Sequence, residues 1–176
     1  MNKIITIVGK KNIESLKKCS NIKIENEERK VTEKWDHKEF ICDLTKQINI
    51  TNQLYLNEDF PGKNDVIREI KSKINGYKNQ DVKKNLYDNK SFINFDETVE
   101  KITLSKLRCH YCKKNIKLIF KDKRDPLQWT LDRIDNSKGH SNDNVVIADL
   151  QCNLQRRRQD DKKFLYSKQV KVILVE

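Results

Sequence analysis

Short apolar runs and one long amphipathic stretch organise the first hundred residues. Ile4–Val8 is apolar and β-branched, which predicts a strand. Shorter patterns predict three more elements: a helix over Asn12–Cys19 with Ile13 and Leu16 inward, and strands over Glu39–Leu44 and Ile48–Leu56. No linker rich in Pro, Gly or Ser and no internal repeat divides the chain. We therefore expect residues 1–100 to form a mixed α/β lobe.

A turn at residues 60–63 (Phe-Pro-Gly-Lys) precedes the helical part of this lobe. Asn64 is the predicted N-cap of a helix that stops near Gly76. Its apolar positions repeat at helical spacing and are Val66, Ile67, Ile70 and Ile74. A second helix is predicted to begin at a cap formed by Asp96. Its inward residues would be Val99, Ile102 and Leu107.

The remainder, residues 101–176, reads as strand, loop, second element and helix. Trp129–Leu131 is a predicted strand and Asn136–Ser141 a polar loop. Asn144–Arg158 is compatible with one helix, or with the end of a strand followed by a helix. The tail Gln169–Val175 predicts a strand that pairs with the main body, since an exposed apolar edge would aggregate. The predicted fold class is α+β.

Charge changes the picture of this second part. The chain carries a net charge of +11, which excludes an acidic scaffold. Residues 101–176 hold 18 Lys and Arg against 9 Asp and Glu, a net +9, whereas residues 1–100 hold 19 against 17. A basic region attracts phosphate polymers because binding releases their counterions. Nucleic acid, most simply DNA, is therefore the expected partner.

The expected cellular compartment follows from the short length of the apolar runs. None approaches the roughly 20 residues that a membrane span requires, and Ile4–Val8 is too short for the core of a signal peptide. An intracellular, reducing compartment is expected. Cys19 and Cys42 have no partner at a recognisable spacing and are interpreted as free buried thiols. Trp35 and His37 are interpreted as packing residues.

Four residues have the spacing of a zinc site. Cys109 and Cys112 form a Cys-x-x-Cys turn without the βαβ context of a redox motif. Cys152 supplies a third thiol, and Asp149 stands where a second Cys-x-x-Cys would begin. A carboxylate can ligate zinc, so these four could close the site. Three cysteines with a water, or no zinc at all, are the alternatives.

The segment between the cysteines carries a recognisable pattern. It runs Trp-Thr-Leu-Asp-Arg-Ile-Asp-Asn over residues 129–136, Gly-His-Ser over 139–141 and Asp-Asn-Val-Val-Ile over 143–147. With the flanking cysteines, it resembles the HNH endonuclease superfamily, in the zinc-braced branch of the ββα-metal fold. The amino-acid sequence of this segment is similar to that of phage and large-virus HNH proteins. The resemblance covers roughly residues 105–160.

The resemblance implies a metal-dependent endonuclease that hydrolyses phosphodiester bonds in DNA. Asp132 matches the aspartate that binds the catalytic Mg²⁺ or Mn²⁺, and Asn153, directly after Cys152, matches the last ligand of that ion. Asn144 matches the middle asparagine, which holds the loop. The zinc would be structural.

Two positions depart from the family's pattern. Arg133 occupies the place of the catalytic histidine, and because arginine stays protonated it cannot act as a base. It suits a phosphate contact instead. Asp149 replaces a zinc cysteine. His140 is the histidine that could replace the base, or it could be a loop residue that contacts DNA or solvent. Asp135 could bind metal or form an Asx turn.

Arg156, Arg157 and Arg158 follow the motif and predict a cationic surface for DNA, to which residues 121–124 (Lys-Asp-Lys-Arg) could add. Two other functions stay open. One is a DNA-binding module that kept the scaffold and lost its base. The other is a zinc-braced protein-interaction module that lacks salt-dependent DNA binding.

Overall fold

A computed structural model describes the backbone of residues 4–20, 27–29 and 43–175, and the side chains of residues 4–15, 27–29 and 43–170. The fold is α+β, as predicted. Its elements are β1 (Ile4–Val8), α1 (Lys10–Ser20), α2 (Leu44–Tyr55), α3 (Lys63–Lys83), α4 (Phe95–Leu104), β2 (Trp129–Arg133), β3 (Val145–Asp149), α5 (Leu150–Arg156), α6 (Asp161–Gln169) and β4 (Lys171–Val175). Predictions for residues 39–42 and for the side chains of Leu16, Cys19, Trp35, His37 and Cys42 lie outside the described residues.

The first and last described strands meet in a two-stranded parallel sheet. β1 pairs with β4, from Ile4 opposite Lys171 to Val8 opposite Val175. The prediction that the tail forms a strand paired with another part of the chain is confirmed. α1 packs against β1, and Ile13 is buried as predicted.

The strand predicted over Ile48–Leu56 is wrong, because this segment belongs to helix α2. Asp43 caps the helix, and its carboxylate accepts hydrogen bonds from the backbone N of Thr45 (2.8 Å) and Lys46 (3.2 Å). The buried residues follow helical spacing and are Gln47, Ile50, Thr51 and Leu54. The β-branched residues favour a strand only locally. The cap and the packing of α2 on α4 outweigh that preference.

Helices α3 and α4 have other ends than predicted. α3 follows Gly62 rather than Asn64, and it passes through Gly76 to Lys83. Gly76 is exposed in mid-helix, where it costs about 1 kcal/mol relative to Ala without ending the helix. The cap of α4 is Asn94, which forms a capping box with Glu97, and Asp96 lies inside the first turn. Leu107 is buried, as predicted, but lies beyond the helix.

The second half centres on an antiparallel hairpin. β2 pairs with β3, from Trp129 opposite Asp149 to Arg133 opposite Val145. A short 3₁₀ turn over Asn142–Asn144 leads into β3, and α5 follows directly and packs on both strands. Of the two alternatives for residues 144–158, the strand end followed by a helix is confirmed.

One hydrophobic core contains residues from both halves of the chain. Ile70, Ile102, Trp129 and Phe164 all belong to it. The predicted boundary between residues 100 and 101 falls inside α4. In the described part of the chain, no helix combines the length and apolar character that crossing a bilayer requires.

Lys73 of α3 is an ionisable group at the edge of this core. Its Nζ donates to the backbone O of Trp129 and lies 4.7 and 4.6 Å from the ring centroids of Phe120 and Trp129. Burial, reinforced by the positive charge of Arg29, lowers the pKa of Lys73 to about 7.

This shift makes the contribution of Lys73 to stability depend on pH. Because its pKa is lower in the folded than in the unfolded chain, the unfolded chain binds more protons between about pH 7 and pH 10. The contribution of Lys73 therefore rises as pH increases through that window. Lys73→Met keeps the packing and removes the charge. Urea unfolding at pH 7 and pH 9.5 should show wild type gaining stability relative to Lys73→Met at the higher pH; an unchanged difference would contradict this.

Candidate functional site: a metal cluster and a polar cavity

The first pair of predicted zinc ligands sits on a tight turn after α4. The backbone N of Cys109 donates to Lys114 O at 2.9 Å, and Lys113 N donates back to Cys109 O at 3.1 Å. Lys113 has a φ of 60°, which reverses the chain within the turn. The turn thereby presents Cys109 and Cys112 to the same point.

The second pair comes from the junction of β3 and α5. Asp149 is the N-cap of α5, where its Oδ1 accepts a hydrogen bond from Cys152 N. Its Oδ2 lies 3.0 Å from Cys112 Sγ, and its backbone N donates to Cys109 Sγ at 3.4 Å. One carboxylate therefore caps the helix and also completes the cluster, which gives a physical reason for an aspartate at this position.

These four residues form the cluster that the sequence predicts. The ligand atoms of Cys109, Cys112, Asp149 and Cys152 all lie within 4.8 Å of one another. Three thiols and one carboxylate are a donor set that zinc accepts, so the cluster could hold a metal ion such as zinc.

Hydrogen bonds and burial within the cluster change the pKa values of its three thiols. A hydrogen bond between the thiols of Cys152 and Cys109 lowers the pKa of Cys109 to about 7 and raises that of Cys152. Burial, followed by the hydrogen bond with Asp149, raises the pKa of Cys112 to about 11. Without a metal, the thiols and the carboxylate of the cluster are therefore held together by hydrogen bonds. A divalent cation would replace the protons of these hydrogen bonds and remove the repulsion between the groups.

A polar cavity of about 240 Å³ lies beside β2, between α3 and α5. Five residues predicted for the site line it: Asp132, Arg133, His140, Asn153 and Arg157. They come from a strand, a loop and a helix, so the fold brings together what the sequence separates.

Asp132 is buried and strongly held. It accepts hydrogen bonds from Tyr111 Oη (2.8 Å) and from Arg156 Nε (2.7 Å) on Oδ2, and from Arg156 Nη2 (3.0 Å) on Oδ1. Arg156 is fully buried and also donates to the backbone O of Arg133 and of Gln159. The prediction that Arg156 lies on the DNA-binding surface is therefore wrong. Its guanidinium neutralises Asp132 instead.

Arg157 and Arg158 lie past the end of α5 and are exposed. Arg157 has a φ of 51° and lines the polar cavity. Of the basic residues predicted to assist them, Lys121 and Lys123 form ion pairs with Glu28 and Glu27, whereas Arg124 is exposed. The cationic surface at this point is therefore smaller than the sequence suggests.

Arg133 also lines the cavity, although little of it is exposed. Its Nη1 donates to Lys138 O at 2.9 Å and lies 3.8 Å from Asp81 Oδ1. The carbonyl and the carboxylate hold the guanidinium at the wall.

His140 has a carboxylate partner that the sequence reading missed. Its Nδ1 lies 2.8 Å from Asp81 Oδ1, and its backbone N donates to Asp81 Oδ2 at 2.7 Å. The ring also lies 4.8 Å from that of Tyr77. Burial lowers the pKa of His140, and Asp81 opposes that shift. The imidazole is therefore neutral and oriented near pH 7.

Asn144 holds the loop that carries His140, as the resemblance implies. Its Oδ1 accepts from Asp135 N at 2.9 Å, and its Nδ2 donates to the backbone O of Asp135 (3.0 Å) and Gly139 (2.9 Å). Asp135 is exposed and accepts from Ser137 N (2.9 Å) and Ser137 Oγ (2.6 Å), the arrangement of an Asx turn.

Asn153 lies one residue after the cluster ligand Cys152. Its Nδ2 donates to Thr130 Oγ1 at 3.1 Å, which fixes the amide and leaves Oδ1 as its acceptor atom. Asn153 therefore has one acceptor oxygen, Oδ1, and it lines the polar cavity together with Asp132.

Comparison with known proteins gives no assignment. No family model, no curated protein and no solved structure matches this chain.

Asp81 could have been found in the sequence. The buried stripe of α3 continues at helical spacing from Val66 through Ile70 and Ile74 to Asp81. If the helix is predicted to end at Gly76, Asp81 falls outside it and is not recognised as part of the buried face. A helix carried on to Lys83 places a carboxylate on the buried face, where it needs a partner.

Gly139 is expected to be essential for the position of His140. A Cβ at this residue would overlap the backbone O of Leu86 and lie 3.1 Å from Asp81 Oδ2. Gly139→Ala should therefore push the loop away from α3 and destabilise the fold by about 1–3 kcal/mol. Thermal unfolding measures this effect. Gly76→Ala, where a Cβ meets nothing within 4 Å, is the matched control and should not destabilise; equal melting temperatures for both variants would contradict the packing argument.

Proposed function

We propose that this chain is a metal-dependent DNA endonuclease of the HNH type, which hydrolyses phosphodiester bonds at the polar cavity. One observation carries the proposal. His140 lines the same cavity as Asp132 and Asn153, and its imidazole is paired with the buried carboxylate of Asp81. This set combines an oriented base with two oxygen donors, the two requirements for activating a water beside a phosphate.

His140 would act as the base that Arg133 cannot be. With the Nδ1 proton donated to Asp81, Nε2 is the basic atom and takes a proton from the attacking water. The water oxygen bonds to phosphorus as the bond to the 3′ oxygen breaks, and solvent protonates the leaving oxygen. The products are a 5′-phosphate and a 3′-hydroxyl.

Asp132 and Asn153 would hold the divalent ion. Asp132 Oδ1 accepts one hydrogen bond, which leaves it a lone pair, and Asn153 Oδ1 is free of the amide's contact with Thr130. Mg²⁺ or Mn²⁺ bound by these oxygens would neutralise charge on the scissile phosphate and on the leaving oxygen. Arg133, on the same wall, would contact that phosphate.

The metal cluster would have a structural role in this enzyme. It joins the turn at Cys109 to the first turn of α5, and Asn153 directly follows Cys152. Zinc at the cluster would therefore fix the start of the helix that supplies one oxygen donor.

A second candidate, the inactive DNA-binding module, has its own support. Arg156 neutralises Asp132, and an arginine instead of a histidine follows Asp132 in β2. Both features fit a site that keeps its scaffold while binding no ion.

The two candidates differ in one experiment. The protein is mixed with an end-labelled DNA duplex with Mg²⁺, with Mn²⁺ or without divalent ions, and both binding and cleavage are followed. The endonuclease cuts only with metal, and Asn153→Ala loses cutting while retaining binding. Asp132→Ala is unsuitable as a control because it leaves the charge of Arg156 buried and unpaired. Binding without cutting under either ion would reject the endonuclease and favour the module.

A further inference from the structure

A second cavity, of about 490 Å³, lies against β3. We call it the basic cavity. Val145, Val146 and Ile147 of β3 line it, whereas Leu131, Asp132 and Arg133 of β2 line the polar cavity. The two cavities therefore contact different strands of one hairpin.

Cations predominate on the walls of the basic cavity, which also include the cluster ligand Cys109. Lys101, Arg108 and Lys113 line it, and no aspartate or glutamate does. None of the three forms an ion pair with a described side chain, that is, one of residues 4–15, 27–29 and 43–170. Lys121 and Lys123, by contrast, are paired with glutamates. Three unneutralised cations around one cavity create a positive potential that favours an anion.

The remaining walls suit an anion that carries flat or apolar parts. Leu104 is 73% exposed at the cavity, and Val146 adds apolar surface beside it. The Nε2 of His110, which also lines the cavity, is buried and has no hydrogen-bond partner among the described residues. This buried nitrogen is not open to a ligand in this conformation, but a sugar or base could cover the exposed Leu104.

We propose that the basic cavity binds backbone phosphate of a nucleic acid strand, next to the segment that enters the polar cavity. This proposal places both cavities along one nucleic acid segment several nucleotides long, because the β-strands that line them are neighbours in one hairpin. This site rests on the nucleic-acid-binding part of the proposed function and does not require cleavage.

The test compares two double variants of the full chain. Lys101→Ala/Arg108→Ala removes two cations from the basic cavity. Lys90→Ala/Lys162→Ala removes the same charge from exposed positions that line neither cavity. Binding of a duplex oligonucleotide is measured by fluorescence anisotropy over a range of NaCl concentrations, without added divalent ions. Equal melting temperature and metal content confirm that each variant is folded.

The first variant should bind about tenfold more weakly, and its slope of log K against log salt should fall by about 1.8, since each lost phosphate contact removes about 0.9. The control should stay close to wild type. An unchanged slope in the first variant, or an equal loss in both, would overturn the proposal. So would loss of adenosine monophosphate binding with duplex binding intact, because the cavity would then serve a free nucleotide.

The outcome is separable from that of the proposed function. A reduced slope in a protein that never cuts DNA supports the basic cavity and rejects the endonuclease. Cutting by a variant with an unchanged slope rejects the basic cavity alone.

Discussion

Cys152→Ser is expected to abolish metal binding at the cluster and to unfold the region that the cluster joins. Cys152 lies in the first turn of α5, and its ligand atom is within 4.8 Å of those of Cys109, Cys112 and Asp149. Structural zinc contributes on the order of 10 kcal/mol to folding, so loss of one thiolate should lower the melting temperature strongly. Metal content by plasma mass spectrometry and thermal unfolding measure both effects.

Two further variants sharpen this expectation. Cys19→Ser removes a thiol from α1 and should leave the metal content unchanged. Asp149→Cys supplies a fourth thiolate, so this variant should bind zinc more tightly. It also removes the N-cap of α5, so the free energy of unfolding of the metal-free protein should fall by about 1 kcal/mol. A Cys152→Ser protein with wild-type melting temperature and metal content would contradict a structural metal at this cluster.

His140→Gln is expected to lower metal-dependent DNA cleavage by about 10²- to 10⁴-fold, the usual contribution of a general base. Glutamine can hydrogen-bond to Asp81 but cannot take a proton near neutral pH. Because His140 lies at the cavity wall, binding of duplex DNA should change little. Single-turnover cleavage and anisotropy on the same duplex separate the two effects. Cleavage at the wild-type rate would remove His140 from the chemistry.

The pH profile tests the partner of His140. Burial lowers the pKa of His140 below its ordinary value of about 6.5, so wild-type cleavage should lose activity only as pH falls below that value. Asp81 raises this pKa, and Asp81→Asn should therefore move the acid limb to still lower pH while reducing the plateau rate through lost orientation. A limb that moves to higher pH would contradict the assignment.

The sequence was sufficient where spacing alone determines geometry. The Cys-x-x-Cys turn and the pair Asp149 and Cys152 at the start of α5 converge because short local segments place each pair. Strand β1 and the order strand, loop, second element and helix were also predictable, since apolar runs and polar loops alternate clearly there.

Features that depend on tertiary contacts were not predicted from the sequence. The β-branched residues of α2 indicate a strand, and its helical state depends on packing against α4. Arg156 looks like part of a surface run, but Asp132 offers a buried carboxylate that only the folded chain brings within 2.7 Å of it. Asp81 and His140 lie in separate elements, and no local pattern joins them.

Relaxation of supercoiled plasmid is the most direct test of the proposed activity. The purified protein, with its cluster metal measured, is incubated with plasmid in the presence of Mn²⁺ or Mg²⁺ or with neither, alongside His140→Gln. Open-circular DNA is expected to accumulate only with wild type and an added ion. Plasmid that stays supercoiled with both ions, under conditions where the protein binds it, would contradict the endonuclease and leave a DNA-binding module.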